Sequence, residues 1–157
     1  MDGFIVFKYL HIVAMFFFVA MALSGEIVTR RVAMTHDVGA IRTTVKSVKV
    51  LVGPVAIGLL VAGLAFGFIA ALTGQMNLLA PWLILAYLAA AAAAVLGFAI
   101  TDPWVGRLER AAQSSPADSA SAELVAVIKE PAARYATFAL MGLIAFLVFV
   151  MVVKPLS

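Results

Sequence analysis

Four apolar stretches, each about as long as a bilayer is thick, constrain this chain more than any other feature. They run over about residues 4–28, 50–72, 81–101 and 135–153. A hydrocarbon core roughly 30 Å thick takes about 20 helical residues at 1.5 Å each. Lipid offers the backbone no water, so a stretch of this kind must close its own hydrogen bonds as a helix. Composition agrees, with 65% of the 157 residues hydrophobic and only 12% charged, where soluble domains carry about 25% charged residues. The sequence therefore predicts an all-α chain: a single four-span transmembrane domain over residues 1–157, built as an integral membrane four-helix bundle.

The first stretch opens as a secretory signal does, with Lys8, an apolar run and then Ala22-Leu23-Ser24-Gly25. It exceeds the roughly 7–15 apolar residues of a cleaved signal, so it reads as a retained first span. Pro81 and Trp82 open the third span, proline suiting a first helical turn and tryptophan the membrane–water interface. Asp102-Pro103 reads as a break and restart, with Asp102 capping a short interfacial helix from Pro103 to about Gln113, anchored by Trp104, the alternative being a kink in a continuous third span. Residues 114–122 (SSPADSASA) are small and polar and read as the flexible stretch. A second short helix, Ala122 to Lys129, leads to Pro131 and the last span.

Orientation follows from the basic residues. The 29–49 segment holds Arg30, Arg31, Arg42, Lys46 and Lys49, and the 102–134 segment holds Arg107, Arg110, Lys129 and Arg134. The opposite side holds only Lys8 and Lys154, so nine basic residues face two. The positive-inside rule places the 29–49 and 102–134 loops in the cytoplasm and both termini outside. The net charge of +3 and pI near 9.5 thus report membrane orientation rather than a nucleic-acid partner. The expected partners are the lipid bilayer and either other membrane-protein subunits or a second copy of the chain. With no cysteine, disulfides, iron–sulfur clusters and thiol chemistry are excluded. Phosphate-binding glycine loops, HExxH and GxSxG are absent as well.

Gly63 and Gly67 stand in GxxxG spacing in the second span, which permits close helix approach. Packing within the chain is the expected use, ahead of a homodimer face. On a helical wheel of the first span, Phe18, Ala22, Met15 and Gly25 fall within about 40° of His11, and Lys8 and Glu26 share one line about 60° away. Ile12, Phe16, Phe17 and Ile27 lie opposite. The small, polar face is expected to turn inward and the bulky one toward lipid.

Ionisable groups inside a span are costly and mark candidate sites. His11, about 10 Å into the first span, is a candidate haem or metal ligand, or equally a histidine hydrogen-bonded to a neighbouring helix. Met15, one turn on, adds a soft thioether for a metal such as copper(I). Glu26 sits four residues before Arg30, the spacing of an ordinary helical ion pair. Lys8 and Glu26 are the candidate buried polar groups, Lys8 also being long enough to snorkel to the outer interface. His36, the only other histidine, falls in the basic loop, so one chain does not supply two histidines at one depth.

Taken together, Lys8-Tyr9-Leu10-His11, Gly25-Glu26 and the terminal Met151-Val152-Val153-Lys154-Pro155 resemble a bacterial family of small four-span integral membrane proteins of unknown function. That resemblance implies a four-span fold in the bacterial cytoplasmic membrane. More distantly, the histidine early in the first span is similar to that of the CopD copper-resistance membrane domain and of HemJ-type protoporphyrinogen oxidases. By that resemblance His11 is the haem- or metal-binding position, although this chain has no second intramembrane histidine. The function expected is that of a non-enzymatic accessory or structural subunit of a membrane assembly. The alternative is a haem-binding redox protein or oxidase, or a metal-handling protein, centred on His11.

Overall fold

Local signals at the chain's polar residues set where each helix begins. In the computed structural model, which describes residues 2–155, the Asp2 side chain accepts the Phe4 N–H at 3.2 Å and starts α1 (Gly3–Ala33). Arg30 and Arg31 lie in its last turn, where the helix dipole favours cations. A tight turn with His36 at φ 59° leads to Asp37, whose carboxylate caps α2 (Val38–Ser47) by accepting the Ala40 N–H at 2.9 Å. A π-helical turn, Val48–Val52, carries α2 directly into α3 (Gly53–Thr73). After the 74–80 loop, α4 (Pro81–Leu96) passes through a second π-helical turn, Gly97–Thr101, into α5 (Asp102–Ser114). Ser121 caps α6 (Ala122–Ile128), and α7 (Pro131–Val153) ends where Lys154 turns left-handed at φ 48°.

The described residues are helical with no strand, and four helical stretches are long and apolar enough to cross a membrane. The expected short helices between the third and fourth stretches are present as α5 and α6. The expected break at Asp102-Pro103 is not: Asp102 is itself helical (φ −61°, ψ −46°), and its N–H reaches back to the Gly97 carbonyl. Gly53, before Pro54, does the same to the Val48 carbonyl. Proline inside a helix clashes with the preceding turn, and the wider π turn just ahead of each proline makes room for its ring. Both long helices therefore continue through their prolines instead of stopping.

Packing is uneven. α1 lies antiparallel along α3, and α4 along α7. These two pairs pack together mainly at the basic end, where α2 meets α5 and α1 meets α7. The main buried core is there as well, formed by Ile41, Val45, Trp104, Leu108 and Leu124 with Ala33, Ala111 and Ala133. Trp104, expected to anchor an interfacial helix from outside, is 1% exposed and donates its indole N–H to the Val127 carbonyl at 2.9 Å. The 114–122 segment is closed at its base by Ser115, which is buried and hydrogen-bonded to the hydroxyl of Ser121 at 2.9 Å. A smaller cluster, Trp82, Leu83, Ala86 and Val150, ties α4 to α7 at the far end.

Candidate functional site

The α1–α3 seam is built on three glycines. Gly63 and Gly67 of α3, and Gly74 just past its end, face Met15, His11 and Phe4 of α1, and a side chain added at any of them would collide with that partner. Each pair's numbers sum to the same value, as an antiparallel register requires. The GxxxG spacing thus serves packing within the chain. The imidazole of His11 fills the space that Gly67 leaves, and its Nδ1–H donates to the Gly63 carbonyl at 2.7 Å. A carbonyl oxygen only accepts, so Nδ1 carries a proton, and in the neutral imidazole Nε2 is then the nitrogen with the lone pair. The Met15 thioether lies against Gly63 in the same seam.

At the basic end the same helix turns to a different neighbour. Glu26 is 9% exposed, and its carboxylate accepts the hydroxyl proton of Thr137 on α7 at 2.5 Å. Arg30 lies 3.8 Å from that carboxylate, the expected i,i+4 pair, and its guanidinium stacks 4.7 Å over the Trp104 ring. Nε and Nη2 of Arg30 are buried and donate no hydrogen bond. Thr137 carries no sequence signal of this role, since one threonine in an apolar span usually bonds its own helix, and the Ala133 carbonyl lies 3.0 Å from the same hydroxyl as the competing acceptor.

Of the two candidate buried polar groups only Glu26 is buried, and Lys8 follows its other reading. It shares a line of α1 with Glu26, yet it is exposed, with its ammonium 5.7 Å from the Phe4 ring centroid. The reason is the uneven packing: α7 meets that line beside Glu26 and not beside Lys8. On the opposite side of α1, Ile12, Phe16, Phe17 and Ile27 are exposed as expected.

A further structural element escaped a reading based on charge counts. Arg42 of α2 donates to the carbonyls of Ala112, Gln113 and Ser115 at 2.9, 3.2 and 2.7 Å. It thereby satisfies the end of α5, where helix carbonyls lack partners. Lys49 and Glu109 pair beside it at 2.5 Å.

As a haem or metal centre within one chain, these residues do not fit. His11 offers one nitrogen, Met15 is on the same helix one turn away, and His36 lies at the opposite end of α1. Among the described residues no group of three or more histidine, aspartate or glutamate side chains gathers as a metal site. The arrangement does supply two polar tethers, one holding α1 to α3 and the other holding α1 to α7. Comparison of the chain with family models, characterised proteins and solved structures returned no match.

Proposed function

We propose that the chain is a multi-pass protein of the bacterial cytoplasmic membrane, with both termini outside, that acts as a non-enzymatic accessory or structural subunit of a membrane assembly. One observation carries this reading: two ionisable groups of the first span, His11 and Glu26, each end on a partner from another helix of the same chain. Groups held this way fix helix positions. The kinship with small four-span bacterial membrane proteins is part of the same proposal and accords with it. The test is extraction from the native membrane in mild detergent followed by native electrophoresis. The expected result is migration within a larger complex whose membrane subunits recur in stoichiometric amounts. Migration as one copy alone would overturn it.

A second reading is favoured by the tautomer of His11. With Nδ1–H tied to the Gly63 carbonyl, Nε2 is oriented as in metal-ligating histidines, whose other nitrogen commonly donates to a carbonyl. A second copy would have to supply the other ligand. On this reading the purified protein shows a Soret band or bound copper that is lost in His11→Ala; a colourless, metal-free protein sinks it.

A further inference from the structure

The ends of α1, α5, α6 and α7 enclose a cavity of about 660 Å³ at the basic end. Four cationic or titratable basic side chains line it: Arg30, His36, Lys129 and Arg134. Its single acidic residue, Glu130, is already engaged, because both its oxygens accept from Arg107 at 2.8 and 2.7 Å. Among the described residues, neither Lys129 nor Arg134 has an ion-pair partner. Arg30 is shared with Glu26 at 3.8 Å but has two buried nitrogens that donate to nothing. The cavity is thus left with an excess of positive charge beside the apolar surfaces of Trp104 and Phe138.

A second, narrower groove of about 110 Å³ adjoins it, sharing Arg30, Met34 and Phe138. From there it runs along Ile27 and Met141, away from the helix ends and into the apolar part of the spans. A small inorganic anion would use the cavity alone. A molecule with an anionic head and an apolar tail would use both.

We propose that this composite site binds an anionic phospholipid, with its phosphate among Arg30, Lys129 and Arg134 and an acyl chain along Ile27, Phe138 and Met141. Basic pockets between helix ends at the membrane surface recognise headgroups by this chemistry, and the α1–α7 groove supplies the complementary path for the chain. Thr137 lines the groove, and its hydrogen bond to Glu26 ties α7 to α1 there.

The test is native mass spectrometry of the purified protein titrated with phosphatidylglycerol, with phosphatidylcholine of the same acyl chains, and with inorganic phosphate as competitor. The expected result is retained phosphatidylglycerol adducts, little phosphatidylcholine, and weak competition by phosphate. Each basic residue near a membrane surface is worth on the order of fivefold, so the Lys129→Ala/Arg134→Ala double variant loses about 30-fold. Arg110→Ala, an exposed position outside the cavity, leaves retention unchanged. Equal retention of the two lipids by the unaltered protein overturns the proposal, and this comparison needs no variant to fold. Complete displacement by phosphate, or an unchanged double variant, overturns it as well.

Discussion

Gly58, Gly63 and Gly67 look alike in the sequence of α3, yet a methyl group added to each meets different surroundings. At Gly58 nothing lies within 4 Å; at Gly63 the nearest atom is the Met15 sulfur at 2.6 Å; at Gly67 it is Nδ1 of His11 at 2.6 Å. A thioether swings aside cheaply, whereas a planar ring tethered to a carbonyl does not. Gly67→Ala is therefore expected to cost about 1–3 kcal/mol, the usual penalty of overpacking, with Gly63→Ala costing less and Gly58→Ala near neutral. Titration of micellar protein with a denaturing detergent, followed by circular dichroism, ranks the three. A Gly67→Ala protein as stable as Gly58→Ala would remove His11 as a fixed element. The Glu26–Thr137 contact is tested in the same way. Thr137→Val keeps the shape, removes the hydroxyl and is expected to cost about 0.6–1.7 kcal/mol, in the range of interhelical hydrogen bonds in membranes. Thr137→Ser is expected to restore most of it, and equal losses for both would sink the assignment.

Among elements, two polar contacts of different worth join α2 and the π turn after it to α5, beside the apolar core they share. Arg42 makes three hydrogen bonds from partly buried ground to carbonyls that have no other partner within their helix, while the Lys49–Glu109 pair is half in solvent. Arg42→Ala is expected to destabilise by about 1.5–3 kcal/mol and Lys49→Ala by less than about 1 kcal/mol. Faster proteolysis in the 116–120 segment of Arg42→Ala, with none in Lys49→Ala, checks the ranking. Part of this level was readable from sequence, since apolar length located the four long helices and Pro81 and Pro131 mark helix starts, whereas α2 lies in the segment read as a basic loop and was missed. The π turns were not readable. Val48–Val52 and Gly97–Thr101 have the composition of ordinary helix, so nothing distinguished a proline that ends a helix from one accommodated by a widened turn. Arg42 was equally opaque, because a count of basic residues treats a carbonyl clamp and a solvated lysine alike. Lys8 could not be told from Glu26 for a further reason: a helical wheel assumes one neighbour along the whole helix, and α7 touches α1 near one end only.

For the whole molecule, the distribution of nine basic residues against two predicts sidedness, and the absence of cysteine makes that prediction simple to test. In intact cells or sealed vesicles, Asn77→Cys is expected to react with a membrane-impermeant maleimide from the outside, and Ser119→Cys only after the cytoplasmic face is opened. The reverse pattern would invert the topology and move the basic cavity to the outer leaflet. The division into two helix pairs carries a mechanical consequence. The pairs are fastened by packing at the basic end and joined at the other by little more than the 74–80 loop. That geometry is a pair of levers on one fulcrum. With arms about 30 Å long, a rotation of about 10° at the fulcrum carries their tips some 5 Å apart or together. Any event that tightens or loosens the few contacts around Glu26, Arg42 and Trp104 is thereby magnified at the opposite face of the membrane.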